Sequence, residues 1–169
     1  MIVNILDSKK SILNKFISEI RDVSVQKDSM RFRRNIERMG EIFAYEISKH
    51  LKYTNSTVTT PLGECVINLV ESQPVIATVL RAGLPLHQGV LNYFDQAENA
   101  FVSAYRKHVT GDEFEVHVDY MAGPSLKGKT LIISFLKSKL IPFLVFVKNI
   151  SKTNLLFNTD ITSKNSLCP

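Results

Sequence analysis

Phe32, Ile36, Met39, Phe43, Ile47 and Leu51 recur at threes and fours, with Arg33, Arg34, Glu37, Glu41 and Glu46 between them. That period predicts a long amphipathic helix to about residue 51, and Asp28 and Ser29 ahead of it supply N-cap chemistry. Asn55 to Gly63 is turn-rich, and Glu64 to Val70 reads as a short strand. Pro74 to Leu80 is a near-continuous β-branched and apolar run, the pattern of a strand buried on both faces of a parallel sheet. Arg81-Ala82-Gly83 breaks that run, and Leu84, Gln88, Leu91 and Phe94 then predict a second helix. Ala100 to Tyr105 reads as another buried strand, Phe114 to Tyr120 alternates as a strand with one wet face does, and Lys129 to Ser134 begins a further interior strand. Strands alternating with helices at this spacing predict an α/β fold: a mostly parallel sheet flanked by helices.

Composition bounds this picture. The 169 residues suit one domain, and 44% hydrophobic with 22% charged residues is ordinary globular composition. Cys65 and Cys168 stand far apart with no second cysteine near either, so neither a disulfide framework nor a zinc knuckle is expected from them. The N-terminal Met-Ile-Val-Asn-Ile-Leu-Asp has no leading basic residues and too short an apolar stretch for a signal peptide, which makes a cytoplasmic location the expectation. The net charge of +5 is unevenly placed. Residues 135–169 hold five Lys, no Arg and one acid, Asp160, a net +4, whereas the first 134 residues hold 16 basic and 15 acidic side chains, a net +1. Lys, Asn, Ile, Phe, Leu and Ser fill 26 positions of that tail. Positive charge placed there is a poor basis for nucleic-acid binding, so no nucleic-acid partner is expected.

In parallel sheets, ligands bind beyond the carboxyl ends of the strands. That rule selects the turn after Leu80 and a turn expected after Tyr105. The first carries Arg81, Ala82 and Gly83: small residues that expose backbone N–H groups at the start of a helix, beside a guanidinium fork. The second carries Arg106-Lys107-His108. Two cationic strand ends suit a small polyanion. Spacing alone leaves the alternative equally open, in which Arg81 caps a helix through a salt bridge and Arg106 is a solvated loop residue.

Five segments carry a family resemblance: Asp28-Ser-Met-Arg-Phe-Arg-Arg, Glu41-Ile-Phe-Ala-Tyr-Glu-Ile, Thr60-Pro-Leu-Gly, Leu80-Arg-Ala-Gly-Leu-Pro-Leu-His-Gln-Gly and Ala104-Tyr-Arg. Together they closely resemble uracil phosphoribosyltransferase, particularly a bacterial branch, over about residues 11 to 134. The resemblance implies a type I phosphoribosyltransferase fold, a homodimer or larger assembly, and a reaction that joins uracil to 5-phosphoribosyl 1-diphosphate, giving UMP and diphosphate for pyrimidine salvage. It matches Arg81 and Arg106 to the family's two arginines that bind the phosphoribosyl diphosphate, and Ala82 and Gly83 to the backbone around its pyrophosphate. Mg2+ accompanies the substrate diphosphate in the family. Charge building on a departing pyrophosphate needs positioning and neutralisation rather than a side-chain nucleophile, so the lack of a Ser/His/Asp or Cys/His set does not argue against an enzyme.

The resemblance ends at residue 135. The family continues there with Asp-Pro-Met-Leu-Ala-Thr-Gly, a loop that cradles the ribose 5-phosphate, whereas this chain has Phe135-Leu-Lys-Ser-Lys. The family's uracil-recognising segment has no counterpart either. The expectation is residues 1–134 as the N-terminal part of a larger, truncated domain, and 135–169 as an unrelated, poorly ordered tail of the kind a frameshift in AT-rich coding sequence produces. The expected function is uracil phosphoribosyltransferase by descent without turnover in this chain, the alternative being a non-catalytic dimerisation or interaction module.

Four other patterns lead elsewhere. Gly123-Pro-Ser-Leu-Lys-Gly128-Lys129-Thr130 fits the P-loop spelling, yet Thr130-Leu-Ile-Ile-Ser continues as a strand where a P-loop opens a helix, so a connecting turn is expected. Leu140 to Val147 is apolar but far short of the roughly 18 residues of a membrane span, and no membrane partner is expected. Asn55-Ser-Thr and Asn149-Ile-Ser match the glycosylation sequon and read as loops. His50, His87, His108 and His117 read as structural or solvated, with no spacing that suits a metal.

Overall fold

In the computed structural model the described residues are 2–110, 113–136, 143–149 and 154–158. The helix expected after Asp28 is α2, Ser29–Ser48, and the Asp28 carboxylate caps it by accepting from the N–H groups of Met30 (3.1 Å) and Arg31 (3.0 Å). Its predicted stripe is its buried face: Ile36, Met39, Phe43 and Ile47 are all within 2% of full burial. Each such side chain contributes roughly 1.5 to 3 kcal/mol on leaving water. A shorter helix ahead of it, α1 (Leu13–Arg21), adds Leu13, Ile17 and Ile20 to the same core. The third helix, α3 (Leu84–Leu91), crosses α2 where two glycines meet. A Cβ on Gly40 would meet the Leu86 carbonyl and the Gly89 Cα, and a Cβ on Gly89 would run into the Glu37 carbonyl. Glycine at both positions is what lets the two backbones approach.

The described residues also form nine strands: β1 (Ile2–Ile5), β2 (Tyr53–Thr60), β3 (Gly63–Val70), β4 (Val75–Leu80), β5 (Glu98–Thr110), β6 (Glu113–Ala122), β7 (Thr130–Leu136), β8 (Phe143–Asn149) and β9 (Asn154–Asn158). Seven form one sheet in the order β1-β9-β8-β7-β4-β5-β6. Its centre is parallel, β4 lying between β7 and β5, with Val75 opposite both Leu131 and Glu98. Val75, Ile76, Ala77 and Thr78 are buried, as the apolar run predicted. The β1–β9 pair is also parallel, whereas β5–β6, β7–β8 and β8–β9 are antiparallel, so the sheet is mixed around a parallel core.

Two turn expectations are corrected. Residues 55–60 are not a turn but most of β2, paired antiparallel with β3 from Tyr53↔Val70 to Thr60↔Gly63, with the reversal confined to Pro61 and Leu62. The Asn55 sequon therefore lies in a strand, and Asn149 ends β8 rather than sitting in a loop, while Ile150 and Ser151 lie outside the described residues. Nor does the chain turn after Tyr105: β5 runs on to Thr110 because β6 pairs alongside, Arg106 opposite Val116 and Lys107 opposite Glu115.

The P-loop spelling does give a turn leading into a strand. Gly128 has φ +74°, β7 starts at Thr130, and the Lys129 ammonium is paired with the Glu98 carboxylate. β7 crosses the position where the family resemblance ends and continues to Leu136. Much of 135–169 lies outside the described residues, including the residues 140–142 of the apolar stretch; the described part contributes β8 and β9, and Val147 is buried in the common core. No helix among the described residues is long and apolar enough to cross a membrane.

Candidate functional site

The carboxyl end of β4 is where a buried strand gives way to small residues. The Leu80–Arg81 peptide is cis. Arg81 and Ala82 are exposed, and Gly83 directly after them is buried. The Gly83 N–H turns inward to the Val79 carbonyl (3.3 Å), Leu84 N–H closes on Arg81 O (3.2 Å), and His87 N–H begins the helix by donating to Gly83 O (2.9 Å). The outward part of the turn is thus Arg81 and Ala82, while Gly83 serves as its floor. A Cβ on Gly83 would collide with the Thr78 hydroxyl and stand 2.9 Å from the Val79 carbonyl and 3.2 Å from the Ser134 carbonyl. Thr78 and Ser134 are fully buried beneath it and bonded to each other's strands: Thr78 Oγ1 donates to Ser134 O (3.1 Å) and Ser134 Oγ to Ala77 O (3.3 Å).

Among the described residues Arg81 makes no ion pair, the contact that capping a helix through a salt bridge would need. A solvent-facing guanidinium beside a glycine-floored turn can form a fork on an anion without first breaking another pair. Arg106 lies on the part of β5 that overhangs β4, three residues beyond Ser103, the partner of Leu80. Its side chain is outside the described residues. The two arginines therefore lie at the same end of neighbouring parallel strands, as expected, although Arg106 is in a strand rather than a turn.

His87, on the helix that the turn opens, is 4% exposed. Its Nε2 lies 2.7 Å from Asn99 Oδ1, and its ring packs 5.4 Å from the Phe101 ring. Burial pushes the imidazole below its ordinary pKa, partly countered by the Asn99 hydrogen bond. Nδ1 is buried without a partner among the described residues, which fits a neutral ring carrying its proton on Nε2. This is the structural role expected of it. His87 also borders a cleft of about 700 Å³ between α2, α3 and β5, walled by Met30, Leu84, Leu91 and Phe101 with Arg33 and Arg34 at its edge. The described residues gather no group of three or more His, Cys, Asp or Glu able to hold a metal ion.

Sequence reasoning singled out the Arg81-Ala82-Gly83 turn, whose place at the carboxyl end of β4 the structure gives, but not Thr78 and Ser134 beneath it or Asn99 beside His87. Their signal lies in pairing between distant strands, which no local pattern carries.

The family model described as uracil phosphoribosyltransferase matches residues 7–126. A uracil phosphoribosyltransferase of Porphyromonas gingivalis is 55% identical over 129 residues, covering 76% of this chain and 60% of the relative. One of Methanococcus maripaludis is 31% identical over 125 residues, covering 72% of this chain and 52% of the relative. This chain thus spans at most about 60% of the length of these two relatives. A solved structure titled "Structure of AQ2163 protein from Aquifex aeolicus" superposes with a TM-score of 0.66 at 23% identity, covering 78% of this chain and 61% of that one, a likeness of fold.

Proposed function

The chain belongs to the uracil phosphoribosyltransferase family, and on that premise we propose that it holds the diphosphate-gripping half of such a site and binds 5-phosphoribosyl 1-diphosphate without converting uracil to UMP. The observation that carries the reading is the β4 turn: an exposed arginine without an ion pair among the described residues, and Ala82, standing on a buried glycine at the carboxyl end of a doubly buried parallel strand. Arg81 would fork onto the pyrophosphate, the Ala82 backbone would lie against it, and Arg106 on the adjacent strand would add a second cation. Such groups act by neutralising charge where it accumulates on a leaving group.

Magnesium, in this reading, comes with the ligand. The turn offers guanidinium and backbone N–H donors, which do not bind cations, so any Mg2+ would be carried on the diphosphate oxygens. Uracil itself has no assigned pocket here.

Absence of turnover is supported at the end of β7. Where the family resemblance places a phosphate-cradling loop, the chain continues as strand through Phe135 and Leu136 and pairs Leu136 with Phe143 of β8. Losing even one oxyanion donor typically costs roughly 10² to 10³ in rate, and here a whole loop differs. The reading is tested by thermal unfolding with magnesium and rising 5-phosphoribosyl 1-diphosphate. Binding predicts a saturable rise in Tm, equivalent to about 2.7 kcal/mol at a hundred times Kd. A Tm indifferent to ligand would remove the binding half of the proposal.

One observation favours the alternative of an interaction module. Among the described residues the β2–β3 hairpin pairs only with itself, and it exposes apolar side chains on both faces, Ile67 and Leu69 on one and Val66 on the other, with Leu62 at its tip. Exposed apolar side chains on an otherwise unpaired hairpin suit association with a second copy or an intact family member. Sedimentation velocity over a range of concentrations distinguishes a dimer from a monomer.

A further inference from the structure

We propose that Thr78 is a positioning residue for the anion-binding turn: its hydroxyl, held on the Ser134 carbonyl, forms the seat on which Gly83 rests and so sets Arg81 and Ala82. Three observations single out that hydroxyl. It donates to Ser134 O at 3.1 Å across the last register pair between β4 and β7. It is the nearest atom to the space a Cβ on Gly83 would fill, nearer than the Val79 and Ser134 carbonyls. It is fully buried, so no water replaces the bond when it is lost. The Gly83 N–H is meanwhile tied to Val79 O, one residue beyond Thr78, and the Gly83 carbonyl accepts from His87 at the start of α3. Moving the Thr78 side chain therefore moves the turn residue that is bonded both to β4 and to the start of α3. The placement has a further consequence: Ser134 is the last residue of the family resemblance, so the seat is complete in a chain whose following loop is not.

The inference rests on the proposed ligand for its function, but not for its geometry, and two readouts separate them. Thr78→Val keeps the shape and removes the donor; Thr78→Ser keeps the donor; Ser134→Ala breaks the reciprocal bond to Ala77 and leaves the seat intact. Amide hydrogen exchange without ligand is expected to speed up about tenfold at Gly83, Leu84 and His87 in Thr78→Val, with α2 amides unchanged, and to stay at the parent rate in Thr78→Ser and Ser134→Ala. Affinity for 5-phosphoribosyl 1-diphosphate with magnesium, read by calorimetry, is expected to fall about five- to tenfold in Thr78→Val alone. Should Thr78→Val not fold, Gly83→Ala, which crowds the same hydroxyl, is expected to give the same local pattern. If the parent binds no ligand, the functional reading fails and the exchange pattern alone decides this one. Equal effects of Thr78→Val and Ser134→Ala, or acceleration spread evenly over α2 and the turn, would show only a tie between β4 and β7 and overturn the proposal.

Discussion

Arg81 owes its place to what surrounds it rather than to bonds of its own. It is exposed and without an ion pair among the described residues, so Arg81→Ala is expected to leave the ligand-free stability within about 0.5 kcal/mol of the parent. The same change is expected to abolish the Tm rise on adding 5-phosphoribosyl 1-diphosphate with magnesium, and paired melts check both statements. His87 makes the opposite case, since its burial disfavours the charged ring. With the folded pKa below the unfolded one, the unfolded chain binds more protons in that window, so stability rises with pH through it and is lost as pH falls below the ordinary histidine range, about 6.5. Urea unfolding between pH 5 and 8 checks this, and His87→Gln is expected to flatten the slope. The lowered carboxylates respond further down: Glu37 is held down mainly by Arg34, at 2.6 Å, and Glu19 mainly by the Asn35 hydrogen bond, so their contributions persist above the carboxylate range and fade as pH drops through it. At this scale the sequence disclosed the turn that carries Arg81, Ala82 and Gly83, because a strand-turn-helix motif is local. It hid Thr78, whose partner is 56 residues away.

Elements were legible where burial imposes a period. The α2 helix has a cap, a stripe and one buried face, and all three are visible in the chain. β2 is exposed nearly along its whole length, so nothing forces apolar and polar residues to alternate, and its Ser and Thr residues look like a turn. Pairing with β3, not a core, makes it a strand. β5 beyond Tyr105 is similar: Arg106-Lys107-His108 reads as a loop by composition and is held extended by β6. The α2–α3 crossing depends on contact between two glycines 49 positions apart, a fact of packing rather than of pattern. Gly89→Ala is expected to cost about 1 to 3 kcal/mol, because its Cβ would have to displace the rigid backbone of Glu37 and Gly40. An unchanged urea midpoint would contradict the close approach.

For the molecule as a whole, the question is what the last 35 residues do to a sheet begun by a family member. β8 lies between β7 and β9, and β9 is the partner of β1, so the described tail supplies two of the seven strands. Deleting residues 135–169 would strip β1 of its partner, open the edge of β7 and remove Val147 from the core. An exposed, apolar edge invites pairing with other chains. The shortened chain is expected to melt at lower temperature and to form larger species in size-exclusion chromatography. The sequence marked where this stretch departs from the family but carried no pattern for β8 and β9, whose order comes from pairing with β7 and β1. The family portion and the described part of the tail thus share a core, and on the proposed reading that core forms around a site that grips the diphosphate without completing the transfer. The most direct measurement of that account is transfer of radiolabelled uracil to UMP by the purified full chain, with 5-phosphoribosyl 1-diphosphate and magnesium in excess. The account predicts label in UMP no higher than in an enzyme-free blank; UMP formed in proportion to protein and time would contradict it.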